Sequence, residues 1–227
     1  MIANDLIKKK SSKIQCLICD VDGVLTDGYI DMACDGSESR VFHVHDGMGL
    51  KFLMFSGIQV AIITTSKVPV IDHRMKQLGI THYYRGQVSK IAAYQNLKEK
   101  LQLPDEAFAY IGDDLPDWEI MQHVGLSIAV ADAVDPLIQR ADWVTQKKGG
   151  RGAVREVCDT LMQWNQTTDK ALQIYLNQSH AKMPGDTSGA FEDVATRDSG
   201  SVEDKDLRSD KSTSGIPGHS KQPEAFQ

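Results

Sequence analysis

The sequence predicts a doubly wound α/β fold, Rossmann-like, with a mostly parallel sheet. Short apolar runs alternate with amphipathic stretches along the chain, which is the pattern of βα units around such a sheet. The 227 residues are 41% hydrophobic and 25% charged, enough for one domain with a sizeable core. From residue 179 to 227 the composition changes to Ser, Gly, Asp, Lys and Pro. We therefore expect a folded domain over residues 13–178 and a disordered polar tail after it.

The first βα unit carries an insertion. Residues 1–12 are predicted to be a polar arm, and the run Ile14 to Val21 is predicted to be the first strand. Two extended pieces follow between residues 28 and 44, joined by Asp35-Gly36, a pair typical of hairpin turns. The sequence thus predicts a β-hairpin inserted directly after the first strand.

The rest of the chain continues the alternation of helix and strand. Asp46 is placed to cap a helix that runs to about Phe55 and ends at Gly57. The further strands are predicted at Ile58–Thr64, Ile80–Tyr84, Ala107–Ile111, Leu126–Val130 and Trp143–Thr145. Further helices are predicted from Pro69 to Gly79, at Val88–Leu101, from Pro116, at Pro136–Arg140 and at Ala153–Trp164.

Composition excludes several classes of protein. The net charge of −6 argues against nucleic-acid binding, and the run Lys8-Lys9-Lys10 is interpreted as solvated. No apolar stretch approaches the roughly 20 residues that cross a bilayer, and the first residues lack the apolar core of a signal peptide. We therefore expect a cytoplasmic protein without membrane contact. Cys16 and Cys19 have Cys-x-x-Cys spacing but lie in a predicted strand, so we expect buried, reduced thiols.

Two carboxylates come at the end of the first predicted strand. Asp20 and Asp22 share one face because residues i and i+2 of a strand point the same way, and Gly23 lets the chain turn. Ligands of open α/β sheets bind outside the carboxyl ends of the strands, which is where these side chains lie. Taken alone, Asp-x-Asp-Gly is also typical of a calcium-loop fragment or a plain turn.

Other strand ends supply complementary groups. Thr64 ends the second strand of the sheet, Lys90 opens a helix, and Asp113, Asp114 and Asp117 follow a later strand. Each has an ordinary interpretation by itself: a β-branched strand residue, a surface lysine, and a helix N-cap or turn. Their order and their common placement predict one site.

In this order the motifs resemble those of the haloacid dehalogenase superfamily over residues 14 to about 160. The resemblance implies a Mg²⁺-dependent phosphatase in which Asp20 attacks phosphorus and Asp22 serves as general acid and base. It implies that Mg²⁺ binds the Asp20 carboxylate, the Asp22 backbone carbonyl and the Asp113 carboxylate. Thr64 would donate to a phosphoryl oxygen and Lys90 would neutralise charge. Asp114 and Asp117 would support this site or add ligands.

Further stretches resemble the 3-deoxy-D-manno-octulosonate 8-phosphate phosphatases, which act in the synthesis of a lipopolysaccharide sugar acid. They are residues 20–28, His43 to Gly49, Gly112 to Leu115, and Gly149 to Glu156. The interval from Asp22 to Thr64 leaves no room for a separate cap domain. The resemblance implies a homotetramer whose hairpins cover neighbouring active sites.

The residues expected to bind the phosphorylated sugar acid are Asp22, His43, His45, Asp46, Gly47, Lys51, Arg74 and Lys90. Two positions depart from the family pattern. Ser66 stands where the family has an arginine, and His45 stands where an arginine is common, whereas Lys67 lies one residue beyond the missing guanidinium.

Alternatives remain at this point. The two departures leave a related substrate open, such as a nonulosonate 9-phosphate. His43 and His45 suit a plain hairpin strand as well as substrate contact, and Arg151 suits a solvated loop as well as an anion site. A phospho-accepting receiver module fits the order of the motifs less well. A structural homologue that has lost activity fits less well because the set of predicted catalytic residues is complete.

Overall fold

A computed structural model of the protein describes residues 2–181. In chain order the strands are β1 (Cys16–Cys19), β2 (Asp31–Met32), β3 (Glu38–Ser39), β4 (Gln59–Ile63), β5 (His82–Tyr84), β6 (Phe108–Gly112), β7 (Leu126–Ala129) and β8 (Trp143–Val144). The helices are α1 (Ile2–Ser11), α2 (Val44–Ser56), α3 (Pro69–Leu78), α4 (Lys90–Leu101), α5 (Leu115–Met121), α6 (Asp135–Ile138), α7 (Ala153–Trp164) and α8 (Thr168–Ala181).

Six strands form one parallel sheet in the order β5-β4-β1-β6-β7-β8. The strands run outward from β1 in both directions, so the order reverses between β1 and β6, and a crevice opens there at their carboxyl ends. The backbone register puts Cys19 level with Ile62 of β4 and Ile111 of β6. The predicted doubly wound α/β fold is confirmed, and the residues that follow these three strands meet at one edge of the sheet.

The core lies on both faces of this sheet. All residues of β1, β6 and β7 are buried, which is expected of parallel strands covered by helices on each side. Helix α2 packs against α7 and α8, while α4 packs against α5. Cys16 and Cys19 are buried free thiols as predicted, and burial raises the pKa of both.

The inserted hairpin is present but shorter than predicted. Asp31 pairs with Ser39 and Met32 with Glu38, and residues 40–43 are not a strand. The two strands form a separate sheet with no third strand to lengthen their pairing, and helix α2 already begins at Val44. Within the described residues, the chain between β1 and β4 holds this hairpin and α2, so no separate cap domain stands there.

The two ends of the domain differ from the sequence-based prediction. The predicted polar arm forms α1, in which Ser11 is buried and Lys10 Nζ lies 2.5 Å from Asp142 Oδ1. Helix α8 was not predicted, and its Tyr175 ring lies 5.2 Å from Phe52 of α2. The predicted tail lies outside the described residues from position 182 onward. Among residues 2–181, no helix combines the length and the apolar character needed to cross a bilayer.

Candidate active site

A pocket of about 210 Å³ opens at the carboxyl ends of β1 and β6. The sequence-predicted residues that line it are Asp20, Asp22, Lys90, Asp113, Asp114 and Asp117. They come from two separate strand ends, those of β1 and β6, and from the start of α4. The topology therefore brings together most of the residues predicted for the phosphate and metal site.

Asp20 follows β1, and its backbone N–H donates to the Ile111 carbonyl at 3.1 Å. The side chain is buried, with Oδ2 at 2.9 Å from Lys90 Nζ, while Oδ1 is a buried atom without a hydrogen-bond partner among the described residues. Burial and then the charge of Asp117 raise the pKa of Asp20 to about 7, against the opposing effect of Lys90. One oxygen of this carboxylate is thus left to bind a cation or to attack a substrate.

Lys90 opens α4 and is almost fully buried. Its ammonium contacts Asp117 Oδ1 at 2.6 Å as well as Asp20. Burial acts to lower the pKa of Lys90, but the two carboxylates outweigh it, so the pKa is raised. Lys90 is therefore a permanent cation beside the Asp20 carboxylate.

Asp117 is a buried positioning residue whose two oxygens are both used. Oδ1 accepts hydrogen bonds from Lys90 and from the Tyr110 hydroxyl, each at 2.6 Å. Oδ2 accepts from the backbone N–H groups of Asp113 at 2.9 Å and Asp114 at 3.3 Å. Asp117 also completes a capping box with Asp114 at the start of α5. It holds the loop after β6 in place.

Asp113 faces Asp20 across the crevice. Burial, then Asp117 and Asp20, raise the pKa of Asp113 to about 8. One carboxylate oxygen from each of Asp20, Asp113 and Asp117 lies within 4.8 Å of the others. Since Asp117 is already saturated by four donors, Asp20 and Asp113 are the carboxylates with capacity for a metal. The buried Asp20 Oδ1 has no hydrogen-bond partner among the described residues, and the neighbouring carboxylates repel one another. Both features suit a hard divalent cation such as Mg²⁺.

Gly23 allows this close approach. Its backbone has φ of +83°, and a Cβ placed there would lie 2.0 Å from Asp113 Oδ2. A side chain at this position would displace the Asp113 carboxylate.

Asp22 is paired with Arg40, a residue that the sequence did not single out. Arg40 Nε donates to Asp22 Oδ1 at 2.6 Å, and Arg40 Nη2 donates to Glu38 Oε2 at 2.9 Å. Arg40 lies in the inserted segment, with no fixed spacing from the Asp-x-Asp motif. The sequence offered one sign of this contact, which was the presence of a charged residue in the predicted hairpin.

Thr64 follows β4 and is buried. Its Oγ1 accepts a hydrogen bond from the Ser66 N–H at 3.1 Å and keeps its own proton to donate. The neighbouring Thr65 lines the pocket instead. The role of Thr64 as a phosphoryl donor stays a prediction.

Asp46 and Gly47 occupy structural positions that the sequence did not foresee. The predicted cap of α2 by Asp46 is wrong, since the N-cap residue is His43. Asp46 accepts instead from the backbone N–H groups of Gly152 at 3.2 Å and Arg155 at 2.8 Å, at the start of α7. Gly47 lies against the Arg74 side chain, where a Cβ would meet Nη2 at 2.3 Å. Both residues have a packing role, and neither lines the phosphate pocket.

Four more residues predicted to bind the sugar acid lie outside this pocket, namely His43, His45, Lys51 and Arg74. Arg74 is over the Phe42 ring, 5.7 Å from its centroid, and donates to Gln77 at 2.7 Å. His43 and His45 pack edge to face with ring centroids 5.1 Å apart, and Lys51 lies farther along α2. Their contact with substrate stays a prediction.

A larger pocket of about 850 Å³ adjoins the phosphate pocket, and Thr65 lines both. Ser66, Lys67 and Arg40 also line it. A guanidinium thus stands near the position where the family arginine is absent. Arg151 lies elsewhere, 2.7 Å from Asp27.

Comparison with known proteins identifies related hydrolases. A family model described as haloacid dehalogenase-like hydrolase matches residues 75–157. The 3-deoxy-D-manno-octulosonate 8-phosphate phosphatase KdsC of Escherichia coli K12 is 52% identical over 161 residues, which cover 71% of this chain and 85% of that protein.

Two solved structures have the same fold. A hydrolase of the HAD superfamily (subfamily III A) from Legionella pneumophila has a TM-score of 0.77 at 56% identity, covering 78% of this chain and 97% of that one. A 3-deoxy-D-manno-octulosonate 8-phosphate phosphatase from Moraxella catarrhalis, in complex with magnesium, phosphate and KDO, has a TM-score of 0.71 at 39% identity, covering 74% and 97%.

Fold and site together define a hydrolase of the haloacid dehalogenase type. The chain belongs to the family of 3-deoxy-D-manno-octulosonate 8-phosphate phosphatases.

Proposed function

We propose that the protein hydrolyses 3-deoxy-D-manno-octulosonate 8-phosphate to the free sugar acid and phosphate, with Mg²⁺ as cofactor. The observation that carries the proposal is the cluster of buried Asp20, buried Lys90 and half-buried Asp113 at the crevice between β1 and β6. Relatives more than half identical to this chain bear that name, which favours the octulosonate over a nonulosonate 9-phosphate.

Asp20 is the proposed nucleophile. Its Oδ1 is buried without a hydrogen-bond partner among residues 2–181, and its Oδ2 is held by Lys90. A bond forms from an Asp20 oxygen to phosphorus as the bond from phosphorus to the sugar oxygen breaks, which leaves an aspartyl-phosphate. Lys90 neutralises negative charge on Asp20 and the transferring group throughout this step.

Asp20 and Asp113 would hold Mg²⁺ through their carboxylates, with the Asp22 backbone carbonyl as a further ligand. When bound, the cation offsets the charge of the phosphoryl group so that a carboxylate can approach it. The raised pKa values of Asp20 and Asp113 support a cation at this point, because burial and the charge of Asp117 destabilise both carboxylates and Asp20 further destabilises that of Asp113.

Asp22 is the proposed general acid and base. It lines the phosphate pocket two residues after Asp20, and its side chain is one-third exposed. Asp22 gives its proton to the departing sugar oxygen and then takes a proton from the water that hydrolyses the aspartyl-phosphate. Thr64 is proposed to donate its hydroxyl hydrogen to a phosphoryl oxygen.

The sugar acid is proposed to extend from the phosphate pocket into the larger pocket beside it. Lys67 gives this pocket a positive charge, which suits a carboxylate-bearing substrate, whereas Glu38 and Asp22 offset the charge of Arg40. His73 lines this pocket and also a neighbouring one, which Arg74 lines.

We also propose a homotetramer. In the inserted segment, four apolar residues each have more than half of their surface exposed, namely Tyr29, Ile30, Met32 and Val41. Apolar groups that cluster on one exposed segment favour a protein interface. Sedimentation at the mass of the 25.1 kDa monomer over a range of concentrations would contradict this assembly.

A cytoplasmic location is the last part of the proposal. The free thiols of Cys16, Cys19 and Cys158 suit a reducing compartment. Fractionation of cells tests it, and recovery of the protein outside the cytoplasm would contradict it.

The decisive experiment is Mg²⁺-dependent phosphate release from a panel of phosphorylated sugar acids. We expect the octulosonate 8-phosphate to be preferred to a nonulosonate 9-phosphate, and Asp20→Asn to abolish release. Undiminished turnover by that variant would exclude the proposed nucleophile, and a strong preference for the nonulosonate would exclude the proposed substrate.

A further inference from the structure

The guanidinium of Arg40 connects the inserted hairpin to Asp22. Besides the contacts of Nε with Asp22 Oδ1 and of Nη2 with Glu38, Arg40 Nη1 donates to the Ser39 carbonyl at 2.9 Å. The Arg40 side chain is 3% exposed. Since a guanidinium is planar and each of its three nitrogens has an acceptor, Arg40 has a defined position and orientation.

This contact determines which oxygen of Asp22 can carry a proton. A guanidinium has hydrogens to donate and no lone pair to accept with, so Oδ1 must remain the acceptor oxygen. The proton of a protonated Asp22 then resides on Oδ2. Within residues 2–181, Arg40 is the hydrogen-bond donor found on this carboxylate, so Arg40 is also what limits its rotation.

We propose that Arg40 is a positioning residue for the acid step, a role that rests on the proposed function of the site. Arg40 holds Asp22 Oδ1 so that the protonated Oδ2 faces the sugar oxygen that leaves phosphorus. As the Asp20 oxygen bonds to phosphorus, the electron pair of the broken bond goes to the sugar oxygen, and the Asp22 proton passes to that oxygen. Glu38 in turn orients Arg40, so the hairpin contributes to catalysis within its own protomer.

The choice of leaving group separates this role from a general structural one. The alkoxide of a sugar is a poor leaving group and needs the proton of Asp22, whereas 4-nitrophenolate is stable as an anion and leaves without it. The quantity kcat/KM covers the steps up to phosphoryl transfer to Asp20, so it omits the later step in which Asp22 acts as a base.

The test compares kcat/KM for 3-deoxy-D-manno-octulosonate 8-phosphate and for 4-nitrophenyl phosphate in Arg40→Met. We expect a loss of about 10- to 100-fold with the sugar ester, as is usual for a misplaced catalytic group, and a clearly smaller loss with the aryl ester. Arg40→Lys should recover part of the loss. Asp22→Asn should show the same selectivity with a larger loss, and the double variant should be no worse than Asp22→Asn.

Arg155→Met is the matched control. It removes another pair in which an arginine Nε contacts a carboxylate, that of Asp159 at 2.7 Å, on the exposed side of α7. We expect Arg155→Met to change kcat/KM only slightly, and by the same factor for both esters. Equal losses with both esters in Arg40→Met, or losses that add to those of Asp22→Asn, would overturn the role of Arg40. Additive losses would point to direct contact of Arg40 with the sugar.

The same experiment distinguishes a failure of the proposed function from a failure of the proposed role of Arg40. If the wild-type protein released phosphate from neither ester, the function and the role of Arg40 would both be rejected. If the wild-type protein is active on both, the selectivity of Arg40→Met decides the role of Arg40 alone.

Discussion

Lys90 donates to Asp117 Oδ1 at 2.6 Å, a shorter contact than the 2.9 Å to the proposed nucleophile Asp20. The cation of the site is therefore anchored by a carboxylate other than the proposed nucleophile. Asp117 also receives the Tyr110 hydroxyl and two backbone N–H groups, so the position of Lys90 is coupled to the loop that carries Asp113.

Asp117→Asn should destabilise the fold and reduce activity. An amide offers one acceptor oxygen where four donors now converge, and Lys90 loses a buried counter-charge, so we expect a loss of about 3 to 5 kcal/mol in unfolding free energy. Urea unfolding measures it. Asp114→Asn is the matched control, because Asp114 is an exposed N-cap and asparagine caps helices equally well. A change of similar size in both variants would contradict this explanation.

Gly23→Ala should weaken Mg²⁺ binding. The added Cβ would overlap Asp113 Oδ2 at 2.0 Å and move that carboxylate, so we expect at least a ~10-fold rise in the Mg²⁺ concentration for half-maximal activity. The control is Gly36→Ala in the hairpin turn. Gly36 has nearly the same φ, +82°, but a Cβ there meets nothing within 4 Å. Equal effects of the two substitutions would mean that backbone strain, and not the clash with Asp113, is responsible.

The metal-free protein should lose stability as pH rises. The pKa values of Asp20 and Asp113 are about 7 and about 8 in the folded protein and roughly 4 in the unfolded chain, so the folded state binds more protons between these limits. Unfolding free energy should therefore fall as pH rises through this window, with the decline complete above about pH 8.

Mg²⁺ reverses this penalty, so the rise in melting temperature on adding Mg²⁺ should be larger at pH 8 than at pH 5.5. Thermal unfolding with and without Mg²⁺ at the two pH values measures the difference. In Asp113→Asn the pH dependence of that rise should shrink. A Mg²⁺ effect that is the same at both pH values in the wild-type protein would contradict the assignment.

Asp46→Ala should affect stability and leave substrate binding unchanged. The buried Asp46 carboxylate accepts from two N–H groups at the start of α7, and leaving them unpaired should cost about 1 to 3 kcal/mol. Urea unfolding and KM for the sugar ester are measured together. Asp159→Ala on the exposed face of α7 should have little effect on either. A raised KM at unchanged stability would instead support the sequence-based interpretation of Asp46 as a substrate contact.

Local patterns were sufficient for most of the fold. The apolar runs placed every strand of the large sheet within a few residues, and the reason is clearest for β1, β6 and β7, since a parallel strand buried on both faces has to be apolar along its whole length. Glycine at the ends of α2 and α3 was equally informative, since Gly57 and Gly79 adopt the left-handed conformation that stops a helix. Local patterns failed for the polar segment that forms α1, where packing against the domain outweighs composition.

The sequence by itself determined the chemistry of the site. Asp20, Asp22 and Asp113 follow strands that a parallel sheet must align, so their meeting could be inferred from the strand pattern and the family motif together. Tertiary structure alone decided how these groups are held. Arg40 reaches Asp22 from a hairpin, Asp46 caps a helix more than a hundred positions away, and Asp117 binds Lys90 across the crevice. Such contacts depend on the path of the chain in space, and no local periodicity or spacing encodes them.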